Sequence, residues 1–199
     1  KRLVYTGRLK TNKGKLLEGP LVIKPIELKD ERGSFIESWN QRNFDNLIKE
    51  VTFFVQDNHS ISSKGVLRGL HYQLPPSQQG KLVRCTRGQI FDLALDIRMN
   101  SKTYGEWSSV ELSSLNKKQF WIPAGFAHGF LTLTNSTEVQ YKVTNYWNKN
   151  DERTIRWDDP ILEINWPKDH IISEKLVVSQ KDSSASTLKD LEIAGDIFE

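Results

Sequence analysis

The sequence predicts an all-β fold, a jelly roll or small barrel with a few short helices. Between Gly19 and Pro167, glycines, prolines and small polar clusters recur at short intervals, and the stretches between them favour β-branched and aromatic residues. Some of these stretches also alternate apolar and polar side chains with the period of two that is typical of strands. Closed or double-layered β architectures remove exposed strand edges and can enclose a ligand, so they suit many short strands.

The clearest strand pattern is QIFDLALDI, residues 89–97. Its odd positions from Phe91 to Ile97 are all apolar, whereas Asp92 and Asp96 lie on the opposite face. This pattern predicts a strand that is packed on one side.

Two further strand predictions place polar side chains beside apolar ones. In TFFVQDNHS, residues 52–60, a period of two puts Phe54, Gln56 and Asn58 on one face. In EVQYKVTNYW, residues 138–147, Tyr141 and Trp147 share a face with two valines, Val139 and Val143. The polar members of both faces are candidate site residues.

Helical spacing is confined to two short stretches, NQRNFDNLIKE (residues 40–50) and the tail from Ser186.

Length and composition indicate how the chain is organised into domains. We predict a basic N-terminal extension over residues 1–20 and a single domain over residues 21–199. The extension carries Lys1, Arg2, Arg8, Lys10, Lys13 and Lys15, and it forms either an extra strand or a loose arm.

The composition argues against several classes of partner. The formal net charge is +3, from 28 basic and 25 acidic residues, which is too even for a nucleic-acid-coating protein and favours a small anionic ligand. There is no apolar run long enough to span a membrane, and the start of the chain lacks the apolar core of a signal peptide. Cys85 has no second cysteine to pair with. We therefore expect a cytoplasmic protein.

Two histidines lie in glycine-containing, largely apolar stretches: His71 in GVLRGLHYQ and His128 in WIPAGFAHGF. From these stretches alone, each is either a structural hydrogen-bonding residue or a catalytic group. PAGFAH resembles the second motif of the cupin superfamily, which implies a cupin-type double-stranded β-helix, the jelly-roll barrel of that superfamily. Metal-binding cupins carry a His-x-His pair and a glutamate in the first motif, and His71-Tyr72-Gln73 supplies neither, so we expect no metal.

Seven separated blocks resemble, in order, the dTDP-4-dehydrorhamnose 3,5-epimerase family. They are DERGSFIES (30–38), VQDNHS (55–60), GVLRGLHYQ (65–73), GKLVRC (80–85), FWIPAGFAHGF (120–130), VQYKVTNYW (139–147) and WDDP (157–160). The resemblance implies epimerisation at C3 and C5 of a dTDP-linked 4-keto-6-deoxyhexose, a homodimer and no cofactor. Two alternatives stay open: an epimerase that inverts one centre of another nucleotide-linked 4-keto sugar, and a non-catalytic barrel that binds a sugar nucleotide.

The resemblance also implies residue roles. His71 is expected to be the base, Asp182 the carboxylate that orients its ring, and Tyr141 the acid on the opposite face of the sugar. Lys81 is expected to stabilise the enolate oxygen.

Substrate binding is expected from a further set of residues. Arg68 and Arg32 would hold the diphosphate, with Arg32 contributed by the partner subunit. The remaining residues expected to contact the nucleotide or the sugar are Glu37, Gln56, Asn58, His128, Tyr146 and Lys181. The position just before DERG, aromatic in the family, is occupied by Leu28-Lys29, which weakens the expectation of a stacked base.

One geometric conflict arises within β-strand GVLRGLHYQ. Strict alternation puts Arg68 and His71 on opposite faces, although both are expected to serve one cavity. We therefore predict a bulge at Gly69.

Overall fold

Two large β-sheets pack face to face in the computed structural model, which describes residues 3–5, 7–171 and 175–199. The strands are β1 Leu3–Tyr5, β2 Leu21–Pro25, β3 Glu27–Asp30, β4 Gly33–Ile36, β5 Gln56–Ser62, β6 Val66–Gln73, β7 Lys81–Arg87, β8 Gln89–Asp96, β9 Trp107–Ser113, β10 Gln119–Ile122, β11 Phe126–Thr132, β12 Thr137–Val143, β13 Glu152–Thr154 and β14 Val177–Val178. The helices are α1 Gln41–Ile48, α2 Gln180–Ser183 and α3 Leu188–Ala194, with a 3₁₀ turn at Lys168–Ile171.

The first sheet has the strand order β1-β2-β10-β7-β12-β5, and the second has the order β13-β6-β11-β8-β9, with β14 added beside β6. All pairs are antiparallel except β14 with β6. A core cluster that includes Val83, Phe120, Phe130 and Val139 draws its side chains from both sheets. The all-β jelly-roll prediction is thus confirmed.

The one-sided burial predicted for QIFDLALDI is wrong, because β8 is buried on both faces. Leu93 and Leu95 pack in a cluster outside the sheet sandwich, and the C-terminal segment covers this cluster. Ala94 packs between the two sheets. Asp92 and Asp96 are fully buried. Burial of a carboxylate requires partners, and both have them: Asp92 contacts His128, and Asp96 accepts hydrogen bonds from Arg98, Ser101 and Thr103.

Both predicted helices are confirmed. Helix α1 begins after Asn40, whose side chain accepts the Asn43 N–H at 3.1 Å, and it buries Phe44 against Trp121 on the outer face of the first sheet. Helix α3 begins with a capping box between Thr187 and Asp190, and its apolar side covers the second sheet. Helix α2 has only four residues, too few to show a helical period in the sequence.

The N-terminal segment lies against the barrel. Lys1 and Arg2 are outside the described residues, but β1 pairs with β2, which agrees with the extra-strand alternative. Further on, Thr11 and Lys15 both contact Glu106, at 2.7 and 2.5 Å. The division into an extension over 1–20 and a domain over 21–199 stays a prediction. In the described part of the chain, no helix is both long and apolar enough to cross a bilayer.

Candidate active site

A polar cavity of about 290 Å³ opens between the two sheets. Three of the four predicted catalytic residues line it: His71, Lys81 and Tyr141. Four of the predicted binding residues do so as well: Gln56, Asn58, Arg68 and His128. These side chains come from five strands, β5, β6, β7, β11 and β12, so the sheets themselves, and not a mobile loop, fix their relative positions.

His71 and Asp182 form a hydrogen-bonded pair, with Nε2 of the ring 2.7 Å from Oδ1 of the carboxylate. The second oxygen of Asp182 accepts the Gly69 N–H at 3.1 Å, and the side chain is 5% exposed. Burial by itself raises the pKa of Asp182, but the hydrogen bonds from His71 and Gly69 outweigh burial and hold the pKa below its usual value. An ionised Asp182 keeps a proton on Nε2 of His71, which leaves Nδ1 as the basic nitrogen.

Helix α2 delivers Asp182 to this pair. Ser179 caps the helix by accepting the Asp182 N–H at 3.1 Å. The preceding β14 is the parallel neighbour of β6, so the chain reaches the helix beside the strand that carries His71.

The predicted bulge at Gly69 is confirmed. Arg68 pairs with Phe130 and His71 with His128, so three steps along β6 match two steps along β11. Gly69 has a φ of +123°, and a Cβ there would lie 2.6 Å from the backbone of Gly129. The bulge turns Arg68 and His71 toward one cavity and directs the Gly69 N–H at Asp182.

Lys81 begins β7 and extends its ammonium group into the cavity wall. Its Nζ donates to the backbone carbonyl oxygen of His71 at 3.2 Å, and the residue is 7% exposed. Burial lowers the pKa of Lys81 to about 8, against the opposing influence of the Glu152 and Asp92 carboxylates. The group is therefore a cation at neutral pH that loses its proton unusually easily.

Tyr141 faces the cavity from β12, opposite Asn58 of β5. Its shared face with Val139 and Val143 is confirmed, because both valines are buried. Burial raises the pKa of Tyr141, although nearby Arg68 lowers it in part. The phenol thus carries its proton at neutral pH, as an acid must.

Of the predicted binding residues, Gln56, Asn58 and Arg68 form a polar strip along β5 and β6. Gln56 Nε2 donates to Asn58 Oδ1 at 2.9 Å, and the Arg68 guanidinium donates to Ser62 Oγ at 3.1 Å. His128 is 5% exposed, with Nε2 only 2.5 Å from Asp92 Oδ1. Because the guanidinium of Arg68 contacts a neutral hydroxyl, it remains able to bind an anion.

The remaining predicted residues lie outside the cavity wall. Arg32 is at the tip of the β3–β4 hairpin, 84% exposed and paired with Asp30 at 2.5 Å. Glu37 accepts the Asn43 side-chain amide at 3.2 Å, and the Tyr146 ring is exposed. Lys181 forms an ion pair with Glu152. Their roles in binding stay predictions.

Several cavity residues were not assigned from the sequence. Trp147 lines the cavity, and its backbone N–H donates to Gln56 Oε1. The strand pattern had already placed Trp147 on the same face as Tyr141. Ser60 and Glu152 also line the cavity. For Ser60 the signal was available, because it continues the alternation of Gln56 and Asn58; nothing in the sequence around Glu152 marks it.

The described residues do not offer an obvious metal site. Within the ranges 3–5, 7–171 and 175–199, no group of three or more histidine, cysteine, aspartate or glutamate side chains is arranged to hold a metal ion. The two histidines of the cavity are each bound to one carboxylate instead.

Comparison with known proteins identifies the family. The model of the dTDP-4-dehydrorhamnose 3,5-epimerase family matches residues 15–190. The chain belongs to this family. An epimerase of that name from Shigella flexneri is 51% identical over 162 residues, which cover 81% of this chain and 90% of the relative.

Solved structures of epimerases superpose closely on the fold. The dTDP-6-deoxy-D-glucose-3,5-epimerase of Legionella pneumophila, in complex with dTDP-4-keto-L-rhamnose, is 40% identical, covers 99% of this chain and 98% of its own, and has a TM-score of 0.87. A 3′-monoepimerase from Streptomyces bikiniensis, in complex with dTDP-quinovose, is 30% identical with a TM-score of 0.84, covering 91% of this chain and 89% of its own. The jelly roll of this chain is therefore the cupin-type barrel of the epimerase family.

Proposed function

We propose that this member of the dTDP-4-dehydrorhamnose 3,5-epimerase family converts dTDP-4-dehydro-6-deoxyglucose to dTDP-4-dehydrorhamnose by inverting C3 and C5. The observation that carries the proposal is the His71–Asp182 pair, which holds a basic nitrogen beside a cavity that Lys81 and Tyr141 also line. Membership of the family supports the reaction, and the polar strip supports a nucleotide sugar as the substrate.

The chemistry needs only acid–base groups. C3 and C5 both flank the C4 ketone, so loss of either proton gives an enolate whose charge rests largely on the C4 oxygen. The ammonium group of Lys81, within a desolvated wall, stabilises that charge more strongly than it would in water. His71 takes the proton from one face of the ring, and Asp182 stabilises the imidazolium that forms.

Inversion requires that a proton return to the opposite face. Tyr141 lies on the first sheet and His71 on the second, so the two groups approach the cavity from opposite walls. A buried phenol that keeps its proton at neutral pH suits this second transfer. Proton removal by one wall and delivery by the other inverts the carbon.

The pKa of Lys81 predicts the alkaline limit of the reaction. Below about pH 8 the Lys81 side chain is a charged ammonium group, and above this pH it loses its proton and its charge. We therefore expect kcat/KM, which reports the free enzyme, to fall about tenfold per pH unit above about pH 8. Steady-state rates from pH 6 to 10 check this. This fall is the alkaline limb of the pH profile. In Lys81→Arg, whose side chain stays charged over this pH range, the alkaline limb should disappear. An unchanged limb would contradict the assignment of the limb to Lys81.

A homodimer would complete the nucleotide site. Arg32, 84% exposed at its hairpin tip, contacts no cavity residue of its own chain in the described structure. The same hairpin exposes Leu28 and Phe35, and β5, which carries Gln56 and Asn58, is an edge strand. Exposed apolar residues and an open edge favour association of this hairpin with a second copy. The partner subunit's Arg32 would then reach the diphosphate.

Mixing two impaired variants, Arg32→Ala and His71→Ala, tests this arrangement. Arg32→Ala should lower kcat/KM about tenfold or more, by removing a charged hydrogen bond to phosphate. If Arg32 acts across the interface, mixing it with His71→Ala should restore activity toward about a quarter of the wild-type level, because each mixed dimer has one intact site. Native mass spectrometry confirms that mixed dimers form. Mixed dimers without recovered activity, or a monomeric protein, would contradict the proposal.

One product analysis distinguishes the proposed double epimerisation from two alternative functions. The likeness to a 3′-monoepimerase favours, as a second candidate, inversion of one centre of a nucleotide-linked 4-keto sugar. A binding barrel without activity has less support, since it would not need the His71–Asp182 pair. Proton NMR of the product from dTDP- and GDP-linked 4-keto-6-deoxy sugars reveals the configuration at C3 and C5. Inversion at both in the dTDP sugar is expected; an unchanged dTDP sugar would refute the proposed function.

A further inference from the structure

A second imidazole–carboxylate pair, His128 with Asp92, lies at the cavity wall. We infer that Asp92 is a positioning residue that holds the proton of His128 on Nε2 and acts as a buried counter-charge that favours the cation of Lys81. This inference rests on the proposed function, because Asp92 acts through His128 and Lys81 on the bound sugar.

The pairing of the strands places the His128–Asp92 pair next to the His71–Asp182 pair. His128 on β11 lies directly opposite His71 on β6, so the two imidazoles are cross-strand neighbours. Asp92 on β8 is fully buried, with Oδ1 2.5 Å from His128 Nε2. Its other oxygen, Oδ2, is buried without a hydrogen-bond partner in the described part of the chain. An unpartnered buried carboxylate oxygen is costly, and the fold retains it beside the reacting groups.

The contact determines what His128 can offer a ligand. Burial lowers the pKa of His128, and the charges of Lys81 and His71 lower it further, although Asp92 opposes both. The ring is therefore neutral. With Nε2–H donating to Asp92, Nδ1 is left with a lone pair and accepts a hydrogen bond, so it can hold a sugar hydroxyl but not a carbonyl oxygen.

The second role of Asp92 concerns charge. The carboxylates whose charges favour the Lys81 cation are Glu152, which has the larger effect, and Asp92. The other titratable side chains on this cavity wall are His71, His128 and Tyr141. Burial raises the pKa of Asp92 above its usual value, and the charges of His128 and Lys81, with the hydrogen bond from His128, offset this rise only in part. Asp92 is fully buried, so little water screens its charge from Lys81. Without it, Lys81 would lose its proton at a lower pH.

Asp92→Asn tests both roles, because asparagine keeps the shape and one hydrogen bond but removes the charge. We expect kcat/KM at neutral pH to fall about tenfold or more. We also expect the alkaline limb of the pH profile to move down by about one pH unit. The matched control is Asp96→Asn: Asp96 is equally buried on the same strand face but binds Arg98, Ser101 and Thr103, away from the cavity. This control should lower the melting temperature and leave the pH profile in place.

The outcomes distinguish a positioning role from a structural one. An alkaline limb that stays in place in Asp92→Asn, or one that moves equally in Asp96→Asn, would overturn the inference. A wild-type protein without epimerase activity would refute the proposed function instead.

A measurement on the wild-type protein needs neither activity nor a folded variant. Long-range ¹H–¹⁵N spectra should show His128 as a neutral imidazole with its proton on Nε2 from about pH 6 to about pH 8. A proton on Nδ1, or an imidazolium in that range, would overturn the inference.

Discussion

Replacing His71 with alanine is expected to slow the exchange of sugar C3 and C5 protons with solvent deuterium by about 100- to 10,000-fold. The reason is that the variant lacks the nitrogen that Asp182, 2.7 Å from the ring, holds in its basic form. Proton NMR of the dTDP-linked 4-keto sugar in deuterated water measures the exchange directly. Binding of dTDP, followed by calorimetry, should remain close to wild type, since Arg68, Gln56 and Asn58 are untouched.

A second histidine provides a control for this variant. His59 lies on β5, on the face opposite Gln56 and Asn58, and pairs with Glu138 at the surface. His59→Ala should exchange both protons at the wild-type rate. Normal exchange in His71→Ala would exclude His71 as the base, whereas loss of dTDP binding in that variant would indicate that the site itself had been disturbed.

Replacing Tyr141 with phenylalanine is expected to separate proton removal from inversion. His71 and Lys81 still form the enolate, so deuterium continues to enter the sugar, but it returns from the His71 side without a change of configuration. Net epimerisation should therefore fall about 100-fold or more, while exchange falls much less. The two rates are read from the same NMR time course, one from the loss of the proton signals and the other from the appearance of the product.

Tyr104→Phe is the matched control, because Tyr104 donates to Glu192 on α3, away from the cavity. It should leave both rates unchanged. Equal losses of exchange and inversion in Tyr141→Phe would argue that the phenol shapes the cavity and does not donate the proton.

Local pattern was enough to predict much of the cavity. The alternation of β5 and β12 placed Gln56, Asn58 and Tyr141 on inward faces. The alternation of β6 located the bulge at Gly69 once the family resemblance had assigned Arg68 and His71 to one cavity. These inferences succeeded because the direction of a side chain in a strand depends on its immediate neighbours.

Contacts between distant parts of the chain could not be predicted in this way. Asp182 is 111 positions from His71, and only the resemblance to the family pointed to it. The same limit explains the error at β8: Asp92 and Asp96 suggest a solvent-facing side until their partners, His128 and Arg98, are known. The proposed role of Arg32 involves a second subunit, and a local sequence pattern carries no information about a second subunit.

The most direct test of the central claim is the isotopic composition of the product made by the wild-type protein in deuterated water. A mechanism in which protons leave and return beside the C4 ketone predicts one solvent deuterium at C3 and one at C5, with the C2 proton retained. A product inverted at both carbons that kept its original hydrogens, or gained deuterium elsewhere on the ring, would contradict proton transfer through His71 and Tyr141.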